Sequence, residues 1–295
     1  MPRADRSELL GLKFERARMN ADVARCLAWC RGPRSSHIVV TANASHLCMM
    51  RRDAALRDAC QAGDLTVADG MSVVWALRAL GRPVPERVAG IDLMTNLLSA
   101  GAIEGLRVYF LGARRQVIES LVALCGERYP GLVVAGYRDG YFSPAAHDRI
   151  VDEIRDCAPH LLFVGMPSPF KETWCQLHRD RLAVPVIVGV GGSFDVLAGF
   201  VTRAPRPVQV VGFEWAWRLM MEPRKLWKRY ARTNTEFLWL VGREILTRRL
   251  AGPTGDARGA MFLGMSSWIP AARAASRAVR FAPGRAVITP AWWSS

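Results

Sequence analysis

The 295-residue sequence contains no apolar run of the roughly 18 residues that a membrane-spanning helix requires. Its best stretch, from Val184 to Val201, is broken by Asp195 and by glycines, so an integral membrane protein is not expected. The opening MPRADRSELL lacks the apolar segment of a secretory signal, and export by the usual route is not expected either. The seven cysteines form no CxxC pair, and the Cys26–Cys30 spacing has no second pair to complete a metal site. With five scattered histidines, that pattern reads as reduced core thiols of a cytoplasmic protein rather than a disulfide framework or a zinc centre. Neither a Walker A loop nor GxGxxG occurs, which leaves a kinase or a dinucleotide enzyme without support. No DxD-type carboxylate pair stands at a strand end, so neither a metal nor a cofactor is expected. Acidic residues are scarce, 26 against 40 Lys and Arg, for a net charge of +14. An excess of that sign favours phosphate-rich partners: nucleic acid, anionic lipid or a nucleotide-linked substrate. Composition alone does not choose among them.

What is present is a rhythm. Short, nearly continuous apolar runs occur at His37–Thr41, Leu65–Ala68, Arg107–Leu111, Leu132–Gly136, Leu161–Val164 and Pro185–Val190. Helical patterns lie between them, at Asp53–Ala62, Ser72–Leu80, Gln116–Tyr129 and Ala145–Cys157, with a further helix near Met19–Arg31. Strands alternating with helices and apolar on both faces predict an α/β fold with a Rossmann-like, mostly parallel sheet. Residues 1–200 are expected to form this core. From Arg203 to Arg249 the character changes: eleven Lys and Arg stand against four Asp and Glu, interleaved with Phe213, Trp215, Trp217, Trp227, Tyr230, Phe237 and Trp239. Residues 201–250 are therefore expected to form a helical, basic, aromatic appendage, and residues 251–295 a poorly ordered tail.

Ligands of open parallel sheets bind outside the carboxyl ends of the strands. The polar residues that follow the strands are Thr41 and Asn43, Asp69-Gly70, Gly112-Ala-Arg114, Gly165-Met-Pro-Ser168 and Gly191-Gly192-Ser193. Gly191 and Gly192 open a helix, where glycine permits close approach and free N–H groups attract phosphate. Asp69 has two readings. It is a general base whose pKa a desolvating environment lifts toward working pH, or it caps the helix that follows it.

Thr41-x-Asn43, Asp69-Gly70, Glu86-Arg87-x-x-Gly90-x-Asp92, Gly140-Tyr-Phe142 and Gly165-x-Pro167 occur in that order. They are followed by Gly189-Val-Gly-Gly-Ser-Phe-Asp195, Arg203-Ala-Pro205, Glu214-Trp215, Arg218, Glu222-Pro223 and Trp227-Lys-Arg-Tyr230. Over roughly residues 38–245 the chain resembles the WecG/TagA/CpsF family of bacterial glycosyltransferases. The resemblance implies inverting, metal-independent transfer of a sugar from a UDP-sugar to an undecaprenyl-diphosphate-linked saccharide in cell-surface polysaccharide synthesis. It implies Asp69 as the base, Thr41 and Asn43 in the sugar pocket, Arg87 facing diphosphate or acceptor phosphate, and Gly191 and Gly192 near the nucleotide. It also implies that the basic segment docks the enzyme on the anionic inner face of the plasma membrane through Arg218, Arg224, Lys225, Lys228 and Arg229. No nucleic-acid partner is implied, and association into a homo-oligomer stays open. Two rival readings stand beside it: a basic nucleic-acid-binding protein without a recognisable nucleic-acid motif, and an inactive scaffold. One departure supports the second. The family's Gly-x-Pro-Lys-Gln-Glu is here Gly165-Met-Pro-Ser-Pro-Phe-Lys171-Glu172, which puts Lys171 at the place of a pocket glutamine. A point charge cannot both donate and accept as an amide does, which leaves room for a donor other than N-acetylmannosamine, such as glucose or a uronic acid; the sequence does not name the sugar.

Overall fold

The computed structural model describes residues 6–251 apart from residue 222. The tail expected over 251–295, apart from its first residue, and the side chains of Lys225 and Arg229 lie outside the described residues. The chain opens with an antiparallel hairpin, β1 (Arg6–Leu9) and β2 (Leu12–Glu15). Its two-residue turn, Leu10-Gly11, has positive φ at both positions (50° and 82°), the geometry that suits the right-handed twist of a hairpin. The sequence pattern does not announce this hairpin, because Leu stands where Asn or Asp would mark the turn. Leu9, Leu12 and Phe14 are buried by it.

The core follows as α1 (Met19–Arg31), β3 (His37–Ala42), α2 (Ala44–Met50), α3 (Ala54–Gln61), β4 (Leu65–Ala68), α4 (Met71–Ala79) and α5 (Gly90–Glu104). It continues through β5 (Arg107–Gly112), α6 (Arg115–Arg128), β6 (Val133–Arg138), α7 (His147–Asp156), β7 (Leu161–Gly165), α8 (Phe170–Leu182), β8 (Val186–Gly189) and α9 (Ser193–Leu197). The six strands of the main sheet run parallel in the order β4-β3-β8-β7-β5-β6. Each corresponds to one of the expected apolar runs. Alternate residues of the strands feed two hydrophobic layers. Ile38, Val40, Leu162, Val164 and Ile187 pack with the hairpin and helices α2, α3, α4, α7 and α8. Val39, Val67, Phe110, Phe163 and Val188 pack with α1, α5, α6 and α9. Six of the seven cysteines are buried in these layers and all seven are free thiols, in keeping with a core role.

The order places the first and last strands of the sheet, β3 and β8, side by side, while the chain between them travels out to both edges. That is a topological switch point, the position at which such sheets open a crevice beyond their carboxyl ends.

The C-terminal segment forms α10 (Arg206–Val210), α11 (Glu214–Met221) and α12 (Pro223–Ala251). The last of these is one helix of 29 residues. Its second half is not a free appendage. Phe237, Leu240 and Val241 are buried in the same layer as α2, the Cys48 thiol donates to the Thr233 carbonyl at 3.5 Å, and Arg52 pairs with Glu236 at 2.7 Å. The expected break at residue 200 thus divides the basic segment from residues with which it shares a core.

Candidate active site

Thr41, the penultimate residue of β3, stands at the switch point and donates its hydroxyl to the Gly189 carbonyl of β8 at 2.7 Å, one residue beyond the last backbone pairing of the two strands. Gly90, the first residue of α5, lies against the same threonine: a Cβ on Gly90 would stand 3.3 Å from Thr41 Cγ2. Asn43 follows as the N-cap of α2. Its Oδ1 accepts from the backbone N–H groups of Ser45 (3.0 Å) and His46 (3.3 Å). Gly70, after β4, packs beside Asn43, with a Cβ there 3.5 Å from Asn43 Cβ.

Asp69 directly follows β4 and does not cap the helix that follows. The N-cap of α4 is Gly70, with no side-chain bond, and Asp69 Oδ1 instead accepts the N–H of Gly90 at 2.8 Å. The other carboxyl oxygen has no partner among the described residues. Burial pushes the carboxyl up to about pKa 6, against the lowering effects of the Gly90 N–H and the Arg87 charge. A carboxyl with one oxygen fixed, one oxygen free and a pKa near 6 can act as a base at neutral pH.

Beside it opens a cleft of about 430 Å³ lined by Met71, Arg87, Asp92, Arg203, Arg206 and Gln209. Three of its charges, Arg87, Asp92 and Arg203, interlock with Glu214 beside it. Arg87 pairs with Glu214 and lies 3.8 Å from Asp92, while Arg203 donates to Asp92 at 2.7 Å and stands 3.9 Å from Glu214. Arg203 Nε and Arg218 Nε are buried without a hydrogen-bond partner among the described residues. Arg218, from α11, reaches the glycine turn after β8: a Cβ on Gly192 would lie 3.3 Å from its Nη2. Gly191 adopts φ 53° there, where a side chain would be strained. The structure thus brings Thr41, Asn43, Asp69, Arg87, Gly191, Gly192 and Arg218 to one rim. Arg224 and Lys228 lie further along α12, exposed, and Lys228 stands over the Trp227 ring at 5.7 Å. Arg218 sits on α11 and the other basic residues on α12, so the basic stripe runs over two helices.

Lys171 departs from expectation. Its side chain is buried, 4% exposed, with its stem under Gly189 and its ammonium paired with Glu172. It donates further to Ser168 Oγ at 2.7 Å and lies 3.2 Å from His46 Nε2. Burial on its own raises Glu172, but His46 and the Lys171 charge outweigh it and hold that carboxyl well below the usual range. The charge of Lys171 is therefore met inside the protein rather than presented to a donor sugar. His46 and Arg206 carry no signal of their own in the sequence as site residues, and Ser168, Asp92 and Arg203 stand in strand-end or motif runs without an assigned role; the crossing of distant segments assembles them.

Among the described residues, no group of three or more His, Cys, Asp or Glu is disposed to hold a metal, and no helix is long and apolar enough to cross a membrane.

Residues 7–251 match the Glycosyl transferase WecG/TagA/CpsF family. An N-acetylglucosaminyldiphosphoundecaprenol N-acetyl-beta-D-mannosaminyltransferase of Bacillus spizizenii is 36% identical over 166 residues, 56% of this chain and 63% of that protein, less than two thirds of its length. The enzymes of the same name from Staphylococcus aureus strains MW2 and NCTC 8325 are each 30% identical over 229 residues, 77% of this chain and 88% of theirs. The match runs through the sheet, the arginine-lined cleft and the C-terminal helices alike: this chain belongs to the WecG/TagA/CpsF family of glycosyl transferases.

Proposed function

We propose that the chain transfers a sugar from a UDP-sugar to a saccharide carried on a polyprenyl diphosphate, with inversion, at the inner face of the plasma membrane. The observation that carries the reading is the desolvated Asp69 carboxyl, pKa about 6, at the edge of a cleft lined by Arg87, Arg203 and Arg206. The free oxygen of Asp69 takes the proton from the acceptor hydroxyl. The acceptor oxygen, giving up that proton, attacks the anomeric carbon of the donor as the bond from this carbon to the diphosphate oxygen breaks. UDP leaves, and one displacement inverts the centre. The charge that grows on the departing diphosphate is met by guanidinium groups and by backbone N–H groups at Gly191-Gly192. Thr41 and Asn43 line the sugar pocket. The relatives' names support an N-acetylglucosaminyl-diphospho-undecaprenol acceptor and an N-acetylmannosaminyl donor group.

Docking on the membrane is supported by exposed apolar side chains among cations. Val211, Phe213, Trp215, Met220, Met221 and Trp227 are exposed beside Arg224 and Lys228. Aromatic rings favour the lipid interface, and each Lys or Arg near an anionic leaflet contributes about 1 kcal/mol.

The test is transfer itself. The full chain, incubated with UDP-N-acetylmannosamine and N-acetylglucosaminyl-diphospho-undecaprenol, should yield the lipid-linked disaccharide by mass spectrometry. Absence of any product across a panel of UDP-hexoses and UDP-hexosamines would sink the reading. Co-sedimentation with phosphatidylglycerol vesicles but not phosphatidylcholine vesicles tests the docking.

A further inference from the structure

Asp69 is held by a helix other than the one that follows it. Its Oδ1 accepts the N–H of Gly90, 21 residues further on, at 2.8 Å. Gly90 is the first residue of α5, a helix of 15 residues, and its N–H is one of the four that such a helix cannot satisfy from within. The cap residue, Ala89, offers no side chain to it. A neighbouring bond sets the line of approach: the Val88 N–H donates to the Ala68 carbonyl at 3.0 Å. The segment leading into α5 is thus fastened to the end of β4 twice, once on the backbone and once on the carboxyl of Asp69. Its charged side chains are tied down as well. Glu86 accepts the N–H of Met19 at 2.7 Å, Arg87 pairs with Glu214, and Asp92 accepts from Arg203 at 2.7 Å.

The close approach needs a glycine. A Cβ at position 90 would stand 3.3 Å from Thr41 Cγ2 and 3.4 Å from both Cβ and Oγ1 of that threonine. Thr41 has little room to yield. It is 5% exposed and β-branched, and its hydroxyl is tied to the Gly189 carbonyl at 2.7 Å. A side chain at position 90 would therefore push the start of α5 outward and lengthen its bond to Asp69.

We propose that Gly90 is a positioning residue for the general base: its N–H holds Oδ1 of Asp69, leaving Oδ2 for the acceptor hydroxyl, and its lack of a side chain lets the helix start come close enough to do so. The same bond tunes the proton affinity of the carboxyl. Burial pushes Asp69 up to about pKa 6; the Gly90 N–H is the strongest effect opposing that rise, ahead of the Arg87 and Lys171 charges, while Glu214 adds to it. The Arg203 guanidinium interacts with Asp69 too. The consequence for turnover rests on the proposed role of Asp69 as base; the contact itself does not.

Two substitutions separate the N–H from the missing side chain. Gly90→Pro removes the donor at a position where proline suits a helix, and Ala89 already has φ −73° and ψ 139°, the conformation favoured before proline. Gly90→Ala keeps the donor and adds only the Cβ. The acid limb of the kcat–pH profile should move up by about one to two pH units in Gly90→Pro, the worth of one hydrogen bond to a charged group, and by much less in Gly90→Ala. Equal shifts in the two variants, or an unmoved limb in Gly90→Pro when Asp69→Asn has lost turnover, overturn the proposal. The wild-type full chain labelled with ¹⁵N-glycine gives a second reading that stands whether or not the proline variant folds. Its Gly90 amide signal, assigned by its loss in Gly90→Ala, should shift with a midpoint near pH 6, and Asp69→Asn should abolish that shift. A Gly90 amide that stays still between pH 5 and 8 overturns the proposal. If the amide titrates as expected but Asp69→Asn keeps its turnover, it is the reading of Asp69 as base that fails, and the contact stands.

Discussion

The guanidinium of Arg87 is closed by the carboxylate of Glu214, which arrives from the first turn of α11, 127 residues along the chain. The pair ties the carboxyl-end rim of the sheet to the C-terminal helices. On the proposed function, an incoming phosphate meets an arginine already holding an anion. Both side chains are largely buried, at 12% and 27% exposure, so screening by solvent is limited.

A double-mutant cycle measures that tie. Arg87→Ala and Glu214→Ala should each destabilise the protein, and the double variant should be less unstable than the sum by roughly 1–3 kcal/mol, as for groups sharing one network. Chemical denaturation of the four proteins reads it. Strict additivity would show that the two side chains do not communicate in solution.

Asp69→Asn should reduce turnover by about 10²–10⁴-fold, the range for loss of a general base. The amide oxygen of Asn can still accept the Gly90 N–H, so the fold and UDP binding should persist, which calorimetry with UDP checks. Near-normal turnover would reduce Asp69 to a structural support of α5.

The pH profile follows from the same carboxyl. A base with its pKa raised to about 6 is active when ionised, so kcat should rise tenfold per pH unit below about 6 and level off above it. An inflection near 4, the ordinary carboxylate range, would mean that burial does not act on the catalytic group.

Asp22 offers a stability test away from the site. It is 1% exposed in α1, Oδ1 has no hydrogen-bond partner among the described residues, and burial pushes its carboxyl up to about pKa 7, with Arg25 opposing the rise and Glu15 and Glu86 adding to it. The folded protein therefore keeps a proton there that the unfolded chain releases near pH 4, and stability contributed by this group is lost as pH rises from about 4 through 7. Asp22→Asn should raise Tm by a few degrees at pH 8 and scarcely at pH 5. An equal effect at both values would mean that Asp22 does not titrate with folding.

Helix α12 should prove necessary to the core. Leu240→Ala should cost about 2–5 kcal/mol, and a chain ending at Gly199 should not give a cooperative thermal transition. A sharp transition near the full-length Tm in the truncated chain would show that residues 1–199 fold alone.

The parallel sheet was legible from sequence because strands covered on both faces must be apolar nearly throughout, and Val39, Val108, Leu162 and Ile187 belong to such runs. Asp69, Thr41 and Gly191 stood out as candidate site residues because polar groups and glycines at strand ends contrast with those runs. Helix α5 was harder to read: Leu93, Met94, Leu97 and Leu98 are all buried, with weak amphipathic contrast to mark its outer face. Only the tertiary structure decided three things. It joined β3 to β8 and so carried the Gly189 carbonyl to Thr41, 148 residues away. It drew Asp69 off its own helix onto the N–H of Gly90. It buried Lys171 against Glu172 and His46, where the sequence suggested a charge facing substrate. Local propensity and periodicity are set by neighbours within a turn or a strand. Which strands lie side by side, and which charges meet when water is excluded, depends on the packing of the whole chain.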